Sequence, residues 1–420
     1  MRIETVDTLV VGGGQAGLAM SEHLGAAGVE HLVLERARIA ERWRTARWDG
    51  LVANGPAWHD RFPSLSFADV GVGDDEFATK DEVVRYFETF ARRIEAPIRC
   101  GVNVTRVSVD DAGEGFLVET SEGAYRARNV VAATGPFQTP LIPPLVPALD
   151  GVAQIHSAEY HRPEQLAEGA VLVVGAGSSG SQIAEELLLA GRTVHLSVGP
   201  HERPPRRYRD RDFVWWLGAL GKWQMKTPPA GREHVTIAVS GARGGHTVEF
   251  RRFAERGMRL LGTTTGFREG HLHFAADLAA NVAAGDASLL ALLDEADAHV
   301  ERLGLDLPPE PDARRLPPDP PCLADPIRSL DLAEARITTI VWATGYAQDF
   351  GWLEVDVLDE RGGARHERGI AAVPGIYFVG LPWLSMRGSS FIWGVWEDAR
   401  YLADHIARRG AAPIRTAFRG

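Results

Sequence analysis

Residues 8–17 read Thr8-Leu9-Val10-Val11-Gly12-Gly13-Gly14-Gln15-Ala16-Gly17, an apolar strand that ends in a glycine-rich turn. A helix-forming run follows at once, from Leu18 to Leu24. This pattern is typical of a site where a pyrophosphate lies against free backbone N–H groups at a helix N-terminus, because the helix dipole there favours an anion. In such a site Gly12 makes the tight turn, Gly14 leaves room for phosphate, and Gly17 lets the helix approach its strand.

A second strand and an acidic residue complete the motif. Residues 31–34 form a short apolar strand that ends at Glu35. This glutamate lies near the expected distance of about 20 residues at which a carboxylate accepts a hydrogen bond from a ribose hydroxyl. A glycine cluster alone also occurs in ordinary turns. Since the strands, the helix and the acid all follow in order, the sequence predicts a dinucleotide-binding βαβ unit.

A second turn of the same kind lies in the middle of the chain. Residues 171–180 read Val171-Leu172-Val173-Val174-Gly175-Ala176-Gly177-Ser178-Ser179-Gly180. Here the strand after the helix is followed by Ser197 rather than by a carboxylate, and three arginines come next: Arg203, Arg206 and Arg207. The missing acid and the nearby guanidiniums favour NADPH over NADH, with Arg206 and Arg207 on the 2′-phosphate. The alternative is that these arginines form a solvated loop in an arginine-rich chain.

Composition excludes several classes of protein. A net charge of −11 argues against nucleic acid as the main partner, because phosphate binding needs a basic face. No run approaches the roughly 20 apolar residues of a membrane span, so a cytoplasmic protein is expected. Cys100 and Cys322 are far apart and form no Cys-x-x-Cys, which argues against a reductase with an internal redox dithiol. No metal site is predicted.

Small-residue strand ends and proline-rich segments indicate how the chain is divided. Residues 133–135 and 343–345 both read Ala-Thr-Gly after an apolar strand, so both can bring backbone close to a cofactor. Proline-rich residues 136–150 mark a boundary, and a strand near residues 375–381 is expected to rejoin the first sheet. The sequence predicts an α/β protein with two Rossmann-like dinucleotide-binding domains, one split over residues 1–149 and 336–420 and one inserted over residues 150–335.

These features together resemble class B flavoprotein monooxygenases, which include flavin-containing monooxygenases, N-hydroxylases and Baeyer–Villiger enzymes. The resemblance spans nearly the whole chain and also rests on a linker motif, Leu149-x-Gly151…His156-x-x-x-Tyr160. The family motif has phenylalanine in place of Leu149 and one residue fewer before the histidine, which leaves the subclass open. Tyr160 resembles the heteroatom-oxygenating branch more than the Baeyer–Villiger branch. The chain is also similar to short bacterial FAD-dependent oxidoreductases described as flavoproteins of potassium transport.

The resemblance implies FAD in the split domain and NADPH in the inserted domain. NADPH reduces FAD by hydride transfer, and O₂ then adds at flavin C4a to give a (hydro)peroxide that attacks a small or medium organic substrate. N or S oxygenation or hydroxylation is favoured over Baeyer–Villiger chemistry, and His156 and Tyr160 lie at the hinge between the domains. The implied cofactor contacts are Gly12, Gly14, Gln15, Ala16, Gly17, Glu35, Arg36, Trp43, Arg44, Val104, Ala133, Thr134, Gly135, Gly175, Gly177, Ser178, Ser179, Gly180, Gln182, Ser197, Arg206, Arg207, Ala343, Thr344, Gly345, Gly380 and Leu381.

Candidate catalytic and substrate residues lie in loops. His59 is a candidate proton donor, although a lone loop histidine is more often a surface or packing residue. Asn54 resembles the asparagine that some flavin-containing monooxygenases place near the peroxide. Three aromatic residues before the last helix are predicted to line an apolar substrate cavity: Trp383, Phe391 and Trp393.

Three functions stay open at this point. The leading hypothesis is a monooxygenase whose partners are a small-molecule substrate and O₂. The second is a flavin-dependent NADPH oxidase or reductase that oxygenates no substrate. The third is a flavin-bound regulatory or transport-associated subunit. The sequence leaves the oligomeric state open, a homodimer included.

Overall fold

The computed structural model describes residues 3–111, 115–226 and 236–411. Its strands are β1 (Ile3–Val11), β2 (His31–Glu35), β3 (Ile98–Cys100), β4 (Val104–Val109), β5 (Phe116–Thr120), β6 (Gly123–Ala132), β7 (Thr139–Pro140), β8 (Ala153–His156), β9 (Ala170–Val174), β10 (Val194–Ser197), β11 (Arg207–Tyr208), β12 (Arg211–Asp212), β13 (Arg259–Leu261), β14 (Thr264–Arg268), β15 (His271–Phe274), β16 (Ser329–Asp331), β17 (Ile337–Trp342), β18 (Tyr346–Ala347), β19 (His366–Glu367), β20 (Ile370–Ala371) and β21 (Ile376–Phe378). Its α-helices are α1 (Gln15–Ala26), α2 (Glu41–Thr45), α3 (Lys80–Arg93), α4 (Ser178–Leu189), α5 (Phe213–Ala219), α6 (Phe250–Glu255), α7 (Leu278–Leu303), α8 (Pro321–Ala324) and α9 (Val395–Ala411).

The first sheet carries the first glycine turn at the carboxyl end of β1. Its strand order is β19-β20-β21-β6-β1-β2-β3, and β1 pairs in parallel with both β2 and β6. Strands β4 and β5 extend β6 as an antiparallel layer. Strand β21 pairs in parallel with β6, so the prediction that a C-terminal strand rejoins the first sheet is confirmed.

The second sheet carries the second glycine turn at the carboxyl end of β9. Its order is β13-β10-β9-β17-β8, and all of its pairings are parallel. Strand β17 belongs to this sheet, so the boundary predicted at residue 336 is wrong. The chain returns to the first unit near Phe350, which packs in the core beside the first sheet. A buried parallel strand is apolar in either sheet. The sequence pattern therefore could not show which sheet β17 joins.

Two contacts set the positions of the elements around the turns. Helix α1 lies against α9, because Leu18 and Ala19 share one apolar core with Val395 and Ala399. The loop after α2 crosses to the second unit, where buried Trp48 joins the core of α4. This loop therefore lies between the two units.

An outer layer covers one side of the second unit. The short hairpin of β11 and β12 leads into α5, and buried Tyr208 and Trp216 pack against Leu289 and Leu293 of the long helix α7. Within residues 3–111, 115–226 and 236–411, no helix has the length and apolar character needed to cross a membrane.

Candidate functional site

The first glycine turn has the geometry that a closely held phosphate requires. Gly12 has φ +116°, and a Cβ there would lie 2.6 Å from the carbonyl oxygen of Ala133 at the end of β6. A Cβ on Gly17 would overlap the carbonyl oxygen of Gly12. The space beside Gly14 is open, with nothing within 4 Å of a Cβ. Each glycine thus has the separate reason that the sequence assigned to it.

The helix after this turn presents free donors to that open space. Gly14 is the N-cap of α1, and no side chain caps it among the described residues. Glu35 is held beside the turn, since its two carboxylate oxygens accept from the N–H groups of Gly13 (2.7 Å) and Ala37 (2.9 Å). Opposite them, Gln15 donates to the carbonyl oxygen of Ser390 (2.7 Å), which brings the loop before α9 to the turn. An uncapped N-terminus with an adjoining carboxylate suits a pyrophosphate and its ribose.

The second turn repeats this backbone but is covered. Gly175 has φ +106°, and a Cβ there would lie 2.5 Å from the carbonyl oxygen of Ala343 at the end of β17. Gly177 is the N-cap of α4, again without a side-chain cap. Unlike at Gly14, a Cβ on Gly177 would lie 2.9 Å from the side-chain methyl of Thr236. Thr236 thus stands beside the glycine that has to leave room for phosphate.

Thr236 begins a segment that we call the strap, residues 236–240. Ser178 donates its hydroxyl to the carbonyl oxygen of Ile237 (2.8 Å), and Gln182 donates to that of Val239 (2.8 Å). Two main-chain hydrogen bonds join Glu202 to Thr236 and Ala238, both 2.8 Å long. The strap is therefore fastened across the N-terminal end of α4 by side chains of the turn itself.

Asn54 and His59 lie where the two units meet. Asn54 accepts at Oδ1 from Gln182 of α4 at 2.9 Å. The Nδ1 atom of His59 is 2.7 Å from a carboxylate oxygen of Asp60, and its Nε2 is buried without a hydrogen-bond partner in the described structure. Three indole rings surround this imidazole, with ring centroids 5.4–5.6 Å away: Trp58, Trp223 and Trp393. A histidine held on one nitrogen with the other in an apolar enclosure can hold or transfer a proton there.

This cluster of His59, Trp223, Phe391 and Trp393 is called the aromatic cluster below. Phe391 and Trp393 both contact Trp223, with ring centroids 5.2 and 5.4 Å apart. The structure thus brings together two of the three residues predicted for a substrate cavity. Trp383, at a left-handed φ of +56°, makes no ring contact in the described part of the chain. Trp223 was missed by sequence analysis, because nothing local connects residue 223 to residue 393.

Comparison with known proteins agrees with this arrangement. A family model for pyridine nucleotide-disulphide oxidoreductases matches residues 9–227, just over half of the chain. The chain belongs to this family. An oxidoreductase of Geobacillus kaustophilus named CzcO-like is 34% identical over 96% of this chain and 98% of its own length. Arabidopsis thaliana YUCCA1, a probable indole-3-pyruvate monooxygenase, is 30% identical over 45% of this chain and 46% of its own length.

The fold of this oxidoreductase is that of flavin monooxygenases. A flavin-containing monooxygenase from Stenotrophomonas maltophilia superposes with a TM-score of 0.66 at 20% identity, covering 97% of this chain and 100% of its own. The protein is a flavin-dependent oxidoreductase of the flavin monooxygenase-like group, whose cofactors are FAD and NADPH. Despite the family name, its two cysteines stand apart, Cys100 in β3 and Cys322 in α8.

The first turn of the oxidoreductase fits FAD. The open space at Gly14, the uncapped helix α1 and the held carboxylate of Glu35 form a cradle for a dinucleotide. Gly380, at the end of β21, abuts the same helix, since a Cβ there would lie 2.6 Å from the Cβ of Ala16. Thr134 accepts a hydrogen bond from Gln138 (3.0 Å), next to Gly135 at a φ of +72°. These residues stay candidates for FAD contacts.

Other predicted FAD contacts have different surroundings. Arg44 pairs with Glu88 of α3 (2.5 Å), and Arg36 is exposed. Val104 and Leu381 are buried in the core beside the first sheet, so their side chains do not face an open site. Trp43 is half-buried and packs against the cores of both units.

The prediction that Arg206 binds the 2′-phosphate of NADPH is wrong. Its guanidinium is 2% exposed and pairs with Asp212, with one hydrogen bond of 2.9 Å. It also donates to the carbonyl oxygen of Asn54 (2.7 Å) and lies over the ring of Phe213. Burial lowers the pKa of Arg206, while Asp212 raises it. Sequence proximity to the turn could not show that this cation is already neutralised inside the fold.

Two more residues assigned to NADPH point elsewhere. Ser197 is buried, and its hydroxyl donates to the carbonyl oxygen of Gly262 (2.8 Å). Arg207 is exposed and lies in the outer layer, where it donates to the carbonyl oxygen of Gly244 (3.1 Å). Arg203 is buried in a network with Glu249 and Asp286. The second turn thus keeps its backbone fit to a dinucleotide, while these side chains do not provide the 2′-phosphate site.

The linker histidine lies at the end of the second sheet, on strand β8. His156 is fully buried, with Nε2 3.0 Å from the carbonyl oxygen of Gly345 and Nδ1 accepting from the N–H of Ala158 (3.1 Å). Burial lowers the pKa of His156, so the ring is held neutral. Tyr160 is also buried and donates to Glu186 of α4 at 2.7 Å. These contacts lie within the second unit, and the hinge role of both residues stays a prediction. The described residues contain no cluster of histidine, cysteine or acidic side chains fit to hold a metal.

Proposed function

We propose that this oxidoreductase is an NADPH- and O₂-dependent monooxygenase acting on a small or medium organic substrate, with N or S oxygenation or hydroxylation favoured over Baeyer–Villiger chemistry. The observation that carries the proposal is the place of His59. Its free Nε2 lies in an apolar enclosure of indole rings, in the same loop as Asn54, which accepts a hydrogen bond from Gln182 of helix α4. A reaction with reduced flavin and O₂ needs such a dry, protected space.

The residues of the chain have separate tasks in this proposal. Bound FAD supplies the electron transfer and the reaction with O₂. The first turn and Glu35 hold the dinucleotide, and the second turn receives NADPH. The aromatic cluster excludes water and contacts an apolar part of the substrate. Asp60 keeps Nδ1 of His59 occupied, so that Nε2 is the atom that holds or releases a proton.

Two further features support a small aromatic substrate and a self-sufficient chain. The name of YUCCA1 gives indole-3-pyruvate as the substrate of that relative, which agrees with a site built from aromatic rings. Both glycine turns and the aromatic cluster come from one chain, so we propose that a single copy is active and that a homodimer adds no residue to this site. Dependence on NADPH agrees with a cytoplasmic location.

The test separates oxygenation from simple oxidation. FAD-loaded protein is reduced anaerobically with NADPH and mixed rapidly with O₂, with and without NADP⁺, while the flavin absorbance is followed. We expect a transient species, distinct from oxidised and reduced flavin, that lasts longer with NADP⁺. A panel of aromatic amines, sulfides and phenols under ¹⁸O₂ should then give a product with one labelled oxygen atom.

A matched control uses the same protein without flavin, which should consume no NADPH. If H₂O₂ forms in equal amount to the NADPH consumed with every compound of the panel, the protein is an oxidase and the proposal fails. If NADPH reduces the flavin too slowly to support turnover, the regulatory alternative is favoured instead.

A further inference from the structure

A cavity of about 480 Å³ borders the proposed reaction site at Trp58 and lies between the loop that carries this residue and the hairpin of β11 and β12. Its volume is within the range of roughly 300–1,000 Å³ that is usual for small-molecule sites. The lining residues used below are Trp58, Asp75, Arg207, Asp210, Arg211 and Trp215. We call it the outer cavity.

The hairpin is held rigidly from behind. Asp212 pairs with buried Arg206 and also accepts from the N–H of Val214 at 3.0 Å. Tyr208 donates its hydroxyl to Asp297 of α7 at 2.7 Å. Arg209 pairs with the same carboxylate at 2.7 Å, and its N–H donates to Glu310 at 2.7 Å. The side of the hairpin that faces the protein therefore has its charges neutralised.

The turn of the hairpin is strained. Arg209 and Asp210 have φ values of +49° and +59°, a left-handed conformation that non-glycine residues rarely adopt. Such a conformation costs on the order of 1–3 kcal/mol per residue and persists only where surrounding contacts impose it. Here the two-residue turn between the paired residues Tyr208 and Arg211 requires it. The contacts of Arg209 to Asp297 and Glu310 hold the turn in place. The result is that Asp210 is placed at the outer cavity.

Apart from Asp212, which pairs with Arg206, the charges that line the outer cavity are unpaired. In the described part of the chain, neither Asp75 nor Asp210 has an ion-pair partner, and the same holds for Arg207 and Arg211. Arg211 lies over the ring of Trp215, 5.4 Å from its centre. Two unpaired cations, two unpaired carboxylates and two indoles thus line one cavity, together with Asp212, whose charge is neutralised by Arg206.

We propose that the outer cavity binds a small aromatic zwitterion, such as an aromatic α-amino acid. Guanidiniums bind a carboxylate strongly because their N–H groups match its two oxygens, so Arg207 and Arg211 receive the carboxylate. Asp75 and Asp210 receive the ammonium group. Trp58 and Trp215 contact the flat ring. This proposal goes beyond oxygenation and concerns binding alone, so it does not depend on the reaction that the flavin site performs.

The test is isothermal titration of the FAD-loaded protein with three probes that differ in charge. L-Tryptophan carries both charged groups, indole-3-propionate lacks the ammonium group, and tryptamine lacks the carboxylate. We expect saturable binding of one L-tryptophan per chain, with each of the other probes at least about tenfold weaker.

Two variants assign the charges, and two others serve as controls. Arg207→Gln should weaken L-tryptophan about tenfold and leave tryptamine unchanged. Asp210→Asn should weaken L-tryptophan and leave indole-3-propionate unchanged, and asparagine tolerates the left-handed backbone. Arg268→Gln and Asp306→Asn change exposed charges far along the chain and should have no effect. The proposal is overturned if L-tryptophan gives no saturable heat, if the three probes bind alike, or if the two cavity variants bind like wild type.

Discussion

The side-chain amide of Gln182 donates to Asn54 Oδ1 at 2.9 Å and to the carbonyl oxygen of Val239 at 2.8 Å. One buried amide thus connects helix α4 of the second unit, the loop of the first unit and the strap. A movement of the strap at the second glycine turn is therefore expected to shift Asn54, which lies beside the proposed reaction site.

We expect Gln182→Leu to loosen this junction. The change leaves two buried acceptors without a donor, at a cost of about 1–3 kcal/mol each in the free energy of unfolding. Flavin reduction by NADPH should slow as well, since Asn54 and the strap lose the hydrogen-bond donor that they share. Urea unfolding and anaerobic stopped-flow reduction measure the two effects. Gln348→Leu, at an exposed position without a side-chain hydrogen bond in the described structure, is the control. A reduction rate equal to wild type in Gln182→Leu would contradict the coupling.

Two glycines of helix α1 form a matched pair for the FAD site. A Cβ at Gly17 overlaps the carbonyl oxygen of Gly12, whereas a Cβ at Gly25 meets only a ring atom of His31 at 3.9 Å. Gly17→Ala should therefore be purified with little or no flavin. Gly25→Ala should keep full flavin content and gain up to about 1 kcal/mol from better helix propensity. The ratio of flavin absorbance to protein absorbance checks both, and a fully yellow Gly17→Ala protein would show that the turn is not the FAD cradle.

Thr236 provides a test of the strap. Its methyl group occupies the space beside Gly177, so Thr236→Ala should lower the apparent KM for NADPH by about tenfold, the lower end of what one small apolar group is worth in a pocket. Thr236→Val keeps the methyl group and should behave like wild type. Steady-state NADPH oxidation at varied NADPH measures both variants. An unchanged or higher KM in Thr236→Ala would mean that the strap does not compete with the cofactor.

Substitutions of the paired residues His59 and Asp60 should slow only the steps that follow the reduction of flavin by NADPH. His59→Gln removes the imidazole ring, and we expect turnover to fall by about 10²-fold, at the lower end of what general acid–base groups contribute. Asp60→Asn should act in the same direction but less strongly, because it only weakens the hold on Nδ1. Flavin reduction by NADPH should stay within twofold of wild type, roughly the scatter of such a measurement. Equal losses in reduction and turnover would point to a structural role instead.

His195 makes the stability of the protein depend on pH. It is fully buried in β10, both ring nitrogens lack a partner in the described structure, and burial together with Arg259 lowers its pKa from 6.5 to about 4. The unfolded chain therefore binds more protons between these values, so stability is present above pH 6.5 and is lost as the pH falls towards 4. The loss amounts to about 3 kcal/mol.

The variant His195→Val should remove this part of the pH dependence. Valine fills a buried strand position without a titrating group, so the free energy of unfolding should change less between acid and neutral pH than in wild type. Denaturant unfolding across that range measures it. His273→Gln, at a half-buried histidine without an ion pair in the described structure, is the control and should leave the wild-type slope unchanged. An equally steep slope in His195→Val would show that other groups cause the acid sensitivity.

The glycine turns, Glu35 and the two βαβ units were predictable from the sequence, because the requirement at each position is local. An apolar strand, a tight turn that only glycine permits and the start of a helix are all encoded within some ten neighbouring residues. The returning strand at residues 376–378 was also predictable, since its apolar run has few other places to pair. Strand β17 was not, because a buried parallel strand carries no mark of the sheet it will join.

Only the tertiary structure decided which charged groups are paired and which aromatic rings are in contact. From the sequence alone, Arg206 was predicted to be free to bind a phosphate. In the fold, its guanidinium pairs with Asp212 and lies over the ring of Phe213. Trp223 becomes part of the aromatic cluster through its contact with Trp393, which lies far along the chain. The strap covers a turn that comes well before it in sequence. The sequence by itself determined which backbone could hold a dinucleotide, because glycine acts through its own backbone. Which side chains are left free to bind a ligand depended on long-range contacts, because pairing and burial are properties of the folded chain.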